Sequence, residues 1–433
     1  MASAEIRPGT YSEASKQIES NPSAELLAAR ERAIHAFSQN LTDWGPTPTA
    51  YDRFRGEIFT RDAATALCQA MEKPQNGELD VIAQAARRTL LTVAEHQGKK
   101  FDKVTREQPG AMTHELLVGG YDGDRFAKIA GSESGRWVNQ RKSYRGLDPT
   151  FWWGILLHDY VQITGDFALL ERLWPNFEAA VSWAGQFGAG PIKGGFENGK
   201  PPRNLGWKDS ENPFIDEEGN FPAYPVAPLD VNVVAVAADR RAARLYELKE
   251  NYKKAGELRS RADARMEMVN NLFWLEEFAL YAPALDASGD PVRIRTSDSV
   301  YALWAGVTDG RSELIAKSLL ESDLFIKGRA LRTRSTFSRQ FSTNEYQNGN
   351  PWYHLAPMAG AACEKLGLAE EAGRFDGCLP TIVKEGFPEL DCAGRDNIVF
   401  PYTEKDQVTG EEKPVGCKNF TMTIGGVLNR LSF

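Results

Sequence analysis

The chain has 433 residues, of which 42% are hydrophobic and 25% charged, a balance typical of a globular protein rather than a disordered one. Acidic residues outnumber basic ones and give a net charge of -8, which argues against nucleic acid or an anionic membrane as the main partner. No segment approaches the roughly 18 apolar residues of a membrane helix. The N-terminal residues also lack the apolar core of a secretory signal.

The cysteines give no sign of disulfides or of a metal site. They are Cys68, Cys363, Cys378, Cys392 and Cys417. Their number is odd and their spacing is not that of a metal-binding knuckle, so we expect reduced thiols in a cytoplasmic protein. Phosphate-binding glycine motifs are also missing from the sequence, and no cofactor is expected.

Helical periodicity recurs from one end of the chain to the other. The predicted helices cover 24–37, 62–71, 81–96, 149–164, 168–187, 229–248, 255–273, 297–305, 310–321, 352–366, 370–385 and 418–431. Connections rich in glycine and proline separate these helices, and no linker or long β-alternation interrupts them.

About a dozen helices at an even pitch predict an all-α protein with the shape of an (α/α)6 barrel. In this fold, six helical hairpins form a toroid, and the long loops at one end form the active-site cleft. We expect residues 1–433 to form a single catalytic domain, with the helical segment 1–45 packed on the barrel or part of it. An open helical solenoid is the alternative, but its repeats should resemble each other, and these helices do not.

Asp209 lies in the segment Gly206-Trp-Lys-Asp-Ser210, next to Trp207 and Lys208. An aromatic ring offers a platform for the apolar face of a sugar, and a carboxyl beside it is partly desolvated, which raises its pKa. Cleavage of a glycosidic bond requires such a proton-donating carboxyl. On composition alone a surface turn is the simpler explanation, and the rest of the chain decides against it.

Three further segments contain charged residues that are candidates for a binding site. Arg61 and Asp62 begin one helix, where Asp62 can cap the helix or the pair can bind sugar hydroxyls. His114 and Glu115 follow a Pro-Gly turn, but they do not form the His-Glu-x-x-His pattern of a zinc site. Asp148 precedes a proline and is typical of a helix cap.

The segment 339–354 combines amides, aromatic rings and a carboxylate, which suits hydrogen bonding to hydroxyls together with ring stacking. Its candidate sugar-binding residues are Glu345, Tyr346, Gln347, Asn348, Trp352 and His354. Further along, Glu389 follows a proline whose fixed φ helps to hold the carboxylate in place. Glu389 and Asp209 together supply the two carboxylates that glycoside hydrolysis needs.

Seven short blocks of the chain occur in a recognisable order. They are Phe59-Thr-Arg-Asp62, Gln108-Pro-Gly-Ala-Met-Thr-His-Glu115, Asp148-Pro-Thr150 with Thr164-Gly-Asp166, Asn204-Leu-Gly-Trp-Lys-Asp-Ser210, Phe273-Trp-Leu-Glu-Glu-Phe-Ala-Leu-Tyr-Ala-Pro-Ala-Leu-Asp286, Tyr346-Gln-Asn-Gly349 and Phe387-Pro-Glu-Leu390. From about residue 55 onward the chain therefore resembles the amylo-α-1,6-glucosidase-like glycoside hydrolases. Within them it resembles the α-glucosidases that include glucosylglycerate and mannosylglycerate hydrolases.

The resemblance implies an (α/α)6 barrel and hydrolysis of an α-glycoside with inversion. It implies that Asp209 is the general acid and Glu389 the general base, with the two carboxyls about 6.5–9.5 Å apart so that a water fits between them. The predicted substrate-binding residues are Arg61, Asp62, His114, Glu115, Asp148, Trp207 and Lys208, together with the six residues of segment 339–354. The chain departs from the debranching pattern after Ser210 and after Gly349, where the aglycone would be recognised.

We expect an inverting α-glycosidase whose partner is a small α-glucoside, such as a compatible solute of the glucosylglycerate or glucosylglycerol type. The alternatives are an amylo-α-1,6-glucosidase acting on glycogen-type oligosaccharides, a sugar epimerase with paired histidines, and a non-catalytic sugar-binding scaffold. Glu345 is an alternative to Glu389 as the base. The sequence does not predict an oligomeric state.

Overall fold

The structure is a computed structural model that describes residues 24–49, 56–75, 77–118, 142–195, 205–210, 213–343, 345–389, 402–405, 412–415 and 417–431. The predictions made for Cys392 and for the first 23 residues of the N-terminal segment lie outside these residues. The other four cysteines are buried and free, as expected.

Helices dominate the described residues, as the periodicity predicted. They are α1 (Ala24–Gln39), α2 (Thr60–Glu72), α3 (Glu78–Glu95), α4 (Pro149–Thr164), α5 (Phe167–Gly185), α6 (Leu229–Leu248), α7 (Tyr252–Leu272), α8 (Ser299–Ala305), α9 (Ser312–Leu319), α10 (Leu355–Lys365), α11 (Ala369–Asp376), α12 (Leu379–Lys384) and α13 (Thr421–Arg430). One prediction is wrong in detail, because 370–385 is two helices rather than one. Pro380 lies in the first turn of α12, where a proline is favoured because its missing N–H has no partner within the helix, so it marks a new helix start.

The strands of the described residues are short, and several pair across long stretches of the chain. They are β1 (Leu41–Thr42), β2 (Gly45–Pro46), β3 (Glu57–Phe59), β4 (Glu115–Leu117), β5 (Lys142–Ser143), β6 (Ala227–Pro228), β7 (Trp274–Leu275), β8 (Leu280–Tyr281), β9 (Ala284–Leu285), β10 (Phe325–Ile326), β11 (Ala330–Arg332), β12 (Pro351–Trp352), β13 (Tyr402–Lys405) and β14 (Glu412–Val415). Two sheets have three strands, in the orders β3-β4-β5 and β10-β11-β12. The pairs β1-β2, β6-β9, β7-β8 and β13-β14 form the rest.

Six helices pack in a closed ring, in the order α2, α4, α6, α8, α10 and α13, and α13 packs on α2. A second layer covers the ring from outside: α3 packs on α2, α5 on α4, α7 on α6, α9 on α8, α11 on α10 and α1 on α13. The ring helix α6 is buried continuously from Leu229 to Asp239. A helix that is buried all round belongs to the interior, so the core lies in and around the ring.

The N-terminal ends of the six ring helices meet at one end of the ring. Arg61 contacts Asp148, and His354 contacts Phe420. Trp207 contacts three of these helix starts, at Asp230, Asp298 and His354. Each of these residues except Trp207 begins a ring helix or directly precedes one. Helix N-termini carry partial positive charge and favour carboxylates, so this end of the ring is where acidic side chains can gather.

Among the described helices, none has both the length and the apolar character that crossing a lipid bilayer requires.

Gly425 allows α13 to approach α2 closely. A Cβ atom at Gly425 would lie 2.5 Å from both the Cα and the carbonyl oxygen of Ala66, and these backbone atoms cannot rotate away. We therefore expect Gly425→Ala to lower the free energy of unfolding by about 1–3 kcal/mol, the usual cost of overpacking, as measured by urea denaturation.

Gly256→Ala in α7 is the matched control, because a Cβ atom there would meet no described heavy atom within 4 Å. This substitution should leave the stability unchanged or raise it by up to about 1 kcal/mol. Equal unfolding midpoints for Gly425→Ala and the parent would contradict the close contact of α2 and α13.

Candidate active site

Arg61 and Asp148 form a buried ion pair where α2 and α4 begin. Nε of Arg61 donates to Oδ2 of Asp148 at 2.5 Å and Nη2 donates to Oδ1 at 3.2 Å, so the contact is bidentate. Asp148 occupies the N-cap position of α4, as predicted, but its side chain makes no capping hydrogen bond. Its carboxylate instead neutralises a guanidinium that is only 3% exposed.

Asp62 lies beside this pair, with its Oδ1 3.8 Å from Nη1 of Arg61. Burial raises the pKa of Asp62 to about 7, and the charges of Asp209 and Glu389 act in the same direction, while Arg61 opposes the shift. Carboxyls from three distant parts of the sequence therefore lie within electrostatic reach of each other.

Gln347 holds the backbone on both sides of Asp209. Its Oε1 accepts hydrogen bonds from the backbone N–H groups of Asp209 at 2.7 Å and Ser210 at 3.0 Å. Its Nε2 donates to the carbonyl oxygen of Trp207 at 3.0 Å. The Asp209 side chain is only partly exposed, and burial raises its pKa although the charge of Arg61 opposes the shift. Asp209 can therefore hold a proton at a higher pH than an ordinary aspartate and still reach a ligand.

Two buried aspartates fix the residues before the candidate acid. Asp230 accepts a hydrogen bond from the backbone N–H of Trp207 at 2.7 Å. Asp298 accepts from Nε1 of Trp207 at 2.8 Å and from Nζ of Lys208 at 2.5 Å. Lys208 is thus a buried structural partner of Asp298, although the sequence suggested that it binds substrate. Gly206 is needed here because a Cβ atom would lie 2.1 Å from Oδ2 of Asp230.

Trp207 is part of an aromatic cluster rather than an open platform. Its ring stacks on Tyr301 at 5.9 Å between centroids, and it makes edge contacts with Trp352 at 5.6 Å and His354 at 5.5 Å. Because Trp207 is only 4% exposed, little of its face is open to the sugar stacking that was predicted. Burial lowers the pKa of His354 to about 3, so this imidazole is neutral at pH 7. Neither of its ring nitrogens has a hydrogen-bond partner among the described residues.

Glu389, the candidate base, is also a buried carboxyl and is 3% exposed. The hydroxyl of Tyr346 donates to its Oε1, and the backbone N–H of Cys417 lies 3.5 Å from its Oε2. Burial raises the pKa of Glu389, the contacts with Tyr346 and Cys417 oppose the shift, and the charge of Asp209 adds to it. The candidate acid and the candidate base therefore act on each other's charge, and adjacent residues of one segment hold them.

His114 and Glu115 lie where β3 and β4 pair. The register joins Phe59 to Glu115, and the backbone N–H of His114 donates to the carbonyl oxygen of Ser143 at 2.7 Å. The ring of His114 makes an edge contact with Phe59 at 5.5 Å. Burial and the nearby charge of Arg61 hold the pKa of His114 well below its usual range, so it too is neutral at pH 7.

Asn348 contacts Arg334, a buried residue outside the Arg61 ion pair. Oδ1 of Asn348 accepts a hydrogen bond from Nη1 of Arg334 at 3.0 Å, and its Nδ2 donates to the carbonyl oxygen of Gln340 at 2.9 Å. The charge of Glu345 acts on Arg334. Asn348 therefore has a structural partner at both ends of its amide.

Sequence reasoning missed several residues of this site, namely Asp230, Asp298, Tyr301 and Cys417. A signal existed for two of them. Asp230 interrupts the apolar start of α6, and Asp298 directly precedes α8 without making a capping hydrogen bond. An acidic residue at a helix start has the same local signature as a capping residue, so the sequence alone does not distinguish the two roles. Within the described ranges, no group of three or more His, Cys, Asp or Glu side chains is placed to hold a metal ion.

The buried position of Asp230 predicts a specific dependence of stability on pH. Burial raises its pKa from 3.8 to about 7, and the charge of Asp148 adds to the shift. Because the folded-state pKa is the higher one, the contribution of Asp230 to stability is fully present below about pH 4 and is lost as the pH rises through about 7. Asp230→Asn keeps an oxygen for the N–H of Trp207 and removes the charge.

The stability of Asp230→Asn relative to the parent should therefore increase between pH 4 and pH 8, by about 1.4 kcal/mol for each unit of pKa shift. Urea denaturation at several pH values measures this difference. Asp216→Asn is the control of opposite sign. Burial raises the pKa of Asp216, but hydrogen bonds from the backbone and side chain of Asn220 and from the backbone of Glu218 together outweigh it and lower the pKa. If the difference in unfolding free energy between Asp230→Asn and the parent does not change with pH, the burial of this charge is contradicted.

Comparisons with known proteins identify similarity to glycoside hydrolases. Residues 212–388 match the family model of the mannosylglycerate hydrolase MGH1-like glycoside hydrolase domain. The fold resembles the GH63 mannosylglycerate hydrolase of Thermus thermophilus in complex with Tris, with a TM-score of 0.64 and 16% identity over 93% of this chain and 99% of that chain. The complex with Tris and D-glycerate gives a TM-score of 0.60 and 15% identity, with the same coverage of both chains.

A rhamnosidase from Klebsiella oxytoca with rhamnose bound also resembles the chain, with a TM-score of 0.58 and 15% identity over 95% of this chain and 65% of that chain. A search of curated proteins found no match. At these identities the solved structures speak for the fold alone. Together with the family model, they confirm the resemblance to glycoside hydrolases of the mannosylglycerate hydrolase type that the sequence blocks indicated.

Proposed function

We propose that this protein is an inverting α-glycosidase that hydrolyses a small α-glucoside, of the type of glucosylglycerate or glucosylglycerol. One observation carries the proposal. Asp209 and Glu389 come from distant parts of the chain, both have raised pKa values, and each charge acts in the same small site. Two such carboxyls are what hydrolysis of a glycosidic bond needs.

The proposed architecture is an (α/α)6 barrel formed by a single domain over residues 1–433. The closed ring of six helices and the second layer around it support this architecture. The likeness to a mannosylglycerate hydrolase also supports it, because the match covers 99% of that hydrolase's chain. The buried free thiols are in keeping with a cytoplasmic enzyme.

In the proposed mechanism, the protonated carboxyl of Asp209 gives its proton to the glycosidic oxygen while the bond from that oxygen to C1 breaks. The carboxylate of Glu389 takes a proton from a water molecule, which attacks C1 from the opposite face. Asp209 ends the step ionised and Glu389 ends it protonated, and exchange with water restores both. The raised pKa of Asp209 suits a proton donor, and the hydroxyl of Tyr346 favours the ionised form of Glu389.

We propose that the sugar ring lies over Arg61 and Asp62. Asp62 retains some exposure, and the bidentate contact with Asp148 holds Arg61 in one orientation. A carboxyl and a guanidinium together can accept from and donate to neighbouring hydroxyls of a pyranose. His114, Glu115, Tyr346 and Trp352 complete the proposed pocket.

A small aglycone is favoured by one comparison in particular. The mannosylglycerate hydrolase that resembles this chain over nearly its whole length has been solved with D-glycerate. We infer that the aglycone here is of similar size, a three-carbon polyol or acid rather than a branched polymer.

Substitution of either carboxyl tests the mechanism. We expect Asp209→Asn and Glu389→Gln each to lower kcat by about 10²–10⁴-fold with little change in folding, because each removes one proton-transfer group. The assay follows sugar release by NMR from glucosylglycerate, glucosylglycerol, mannosylglycerate and a branched dextrin. The same spectra report the anomer that is formed first.

Glu345→Gln is the matched control, because it removes the alternative base and should retain activity. Unchanged hydrolysis by both Asp209→Asn and Glu389→Gln would refute the proposed roles. A product that keeps the anomeric configuration would exclude the inverting mechanism. Release of glucose from the dextrin alone would favour a debranching enzyme.

The hydrogen bond from Tyr346 to Glu389 predicts a shift in the pH profile. Activity should need ionised Glu389 and protonated Asp209, so a plot against pH is bell-shaped. Tyr346→Phe removes a donor to the ionised form of Glu389 and raises its pKa. The acid limb of kcat/KM should therefore move to higher pH by about one unit.

Tyr160→Phe is the control, because it removes a similar hydrogen bond from a tyrosine to Asp166, far along α4 from the site. Its profile should match that of the parent. An acid limb that stays in place for Tyr346→Phe would mean that Glu389 does not control it.

A further inference from the structure

Three consecutive residues of the segment 339–354 each contact a different part of the site. Tyr346 donates to the carboxylate of Glu389. Gln347 binds the backbone around Asp209. Asn348 accepts a hydrogen bond from Arg334 at 3.0 Å. A shift of this tripeptide would therefore move the surroundings of both candidate catalytic carboxyls at once.

Arg334 anchors this tripeptide to the chain that follows the candidate acid. It is 1% exposed, and its Nη1 donates to the carbonyl oxygen of Ile215 at 2.9 Å. Its Nη2 donates to the carbonyl oxygen of Asp216 at 3.3 Å and to Oε1 of Glu217 at 3.2 Å. Gln347 and Arg334 thus both join the chain around and after Asp209 to the segment that contacts Glu389.

The amide of Gln347 has little capacity left for a sugar. Its oxygen accepts from two backbone N–H groups, and one of its N–H bonds points to the carbonyl oxygen of Trp207. The side chain of Gln347 also lowers the pKa of the Asp209 carboxyl, against the larger effect of burial. An amide has two acceptor sites and two donor hydrogens, and these contacts use both acceptor sites and one of the hydrogens.

We propose that Gln347 is a positioning residue, anchored through Asn348 and Arg334, which fixes Asp209 relative to Glu389 and does not bind the sugar. The inference rests on the proposed two-carboxylate mechanism. In that mechanism the separation of the carboxyls decides between direct attack by water and attack by the carboxylate itself. A misplacement of about 1 Å can lower the rate about 10²-fold.

Gln347→Ala tests this role through properties that a sugar ligand would change differently. We expect kcat to fall by about 10–100-fold while KM and the Kd for glucose, measured by calorimetry, stay within about threefold of the parent. The basic limb of the pH profile should move to higher pH, because the side chain of Gln347 lowers the pKa of Asp209 and the variant lacks it. Gln186→Ala, at the exposed end of α5, is the matched control and should behave as the parent.

Hydrogen exchange provides a measurement that does not depend on activity. In Gln347→Ala the amides of Asp209 and Ser210 lose their acceptor, so exchange in the peptide 205–210 should accelerate by about tenfold or more. Gln347→Glu, the second variant, can accept from both amides and should restore slow exchange. Its negative charge should move the basic limb higher than in Gln347→Ala.

Two results would overturn the inference: unchanged exchange of 205–210 in Gln347→Ala, or a rise of KM and of the glucose Kd together with a parental kcat. Failure of the proposed function is a separate result, since it would appear as full hydrolysis by Asp209→Asn and Glu389→Gln. The exchange measurement reports on Gln347 in either case.

Discussion

The constraint on which this structure depends is the gathering of carboxyls at one end of a helical ring. Those of the described site are Asp62, Asp148, Asp209, Asp230, Asp298 and Glu389, and Arg61 and Lys208 are the cations that contact them. So many negative charges repel each other and lose hydration when buried. The N-terminal ends of six helices offset part of this cost with their positive partial charge. The helical ring therefore contributes directly to the electrostatics of the site.

The gathered carboxyls divide into two groups by their partners. Asp148 and Asp298 each bind a buried cation, and such pairs fix the geometry around them. Asp62 and Asp230 lack a cation at comparable distance among the described contacts, and their pKa values rise to about 7. Raised pKa values at several neighbouring carboxyls mark a site where protons can be exchanged near neutral pH.

The helices could be predicted from the sequence because burial of one face imposes a period on apolar residues. The bounds of α4 and α6 agree with the prediction, since a proline begins the first and apolar residues fill the second. The break between α11 and α12 was missed, because the apolar pattern continues across it and only Pro380 marks the new start. The closure of the ring depends on contacts between distant helices, which no local pattern contains.

Motifs in the sequence named the candidate site residues, but the sequence did not name the partners that hold them. Asp209, Glu389 and Arg61 were chosen from the sequence, and the structure brings them into one electrostatic cluster. Lys208 and Asn348 were chosen as substrate ligands, but their charged and amide groups are engaged by Asp298 and Arg334. A polar residue in a loop has the same local signature whether it faces a ligand or holds another loop. Only the three-dimensional contacts separate these two roles.

The two candidate catalytic carboxyls differ in how they are held, and the difference suits their proposed tasks. Asp209 lies on a loop and is partly exposed, with its backbone clamped by Gln347 rather than its carboxyl locked in an ion pair. A proton donor needs this freedom, because it must meet the leaving oxygen of a ligand and later regain a proton from water. Glu389 is almost completely buried, and Tyr346 and Cys417 fix its oxygens. A base that has to direct one water to one carbon gains from such rigidity, since its orientation decides which face of the sugar is attacked.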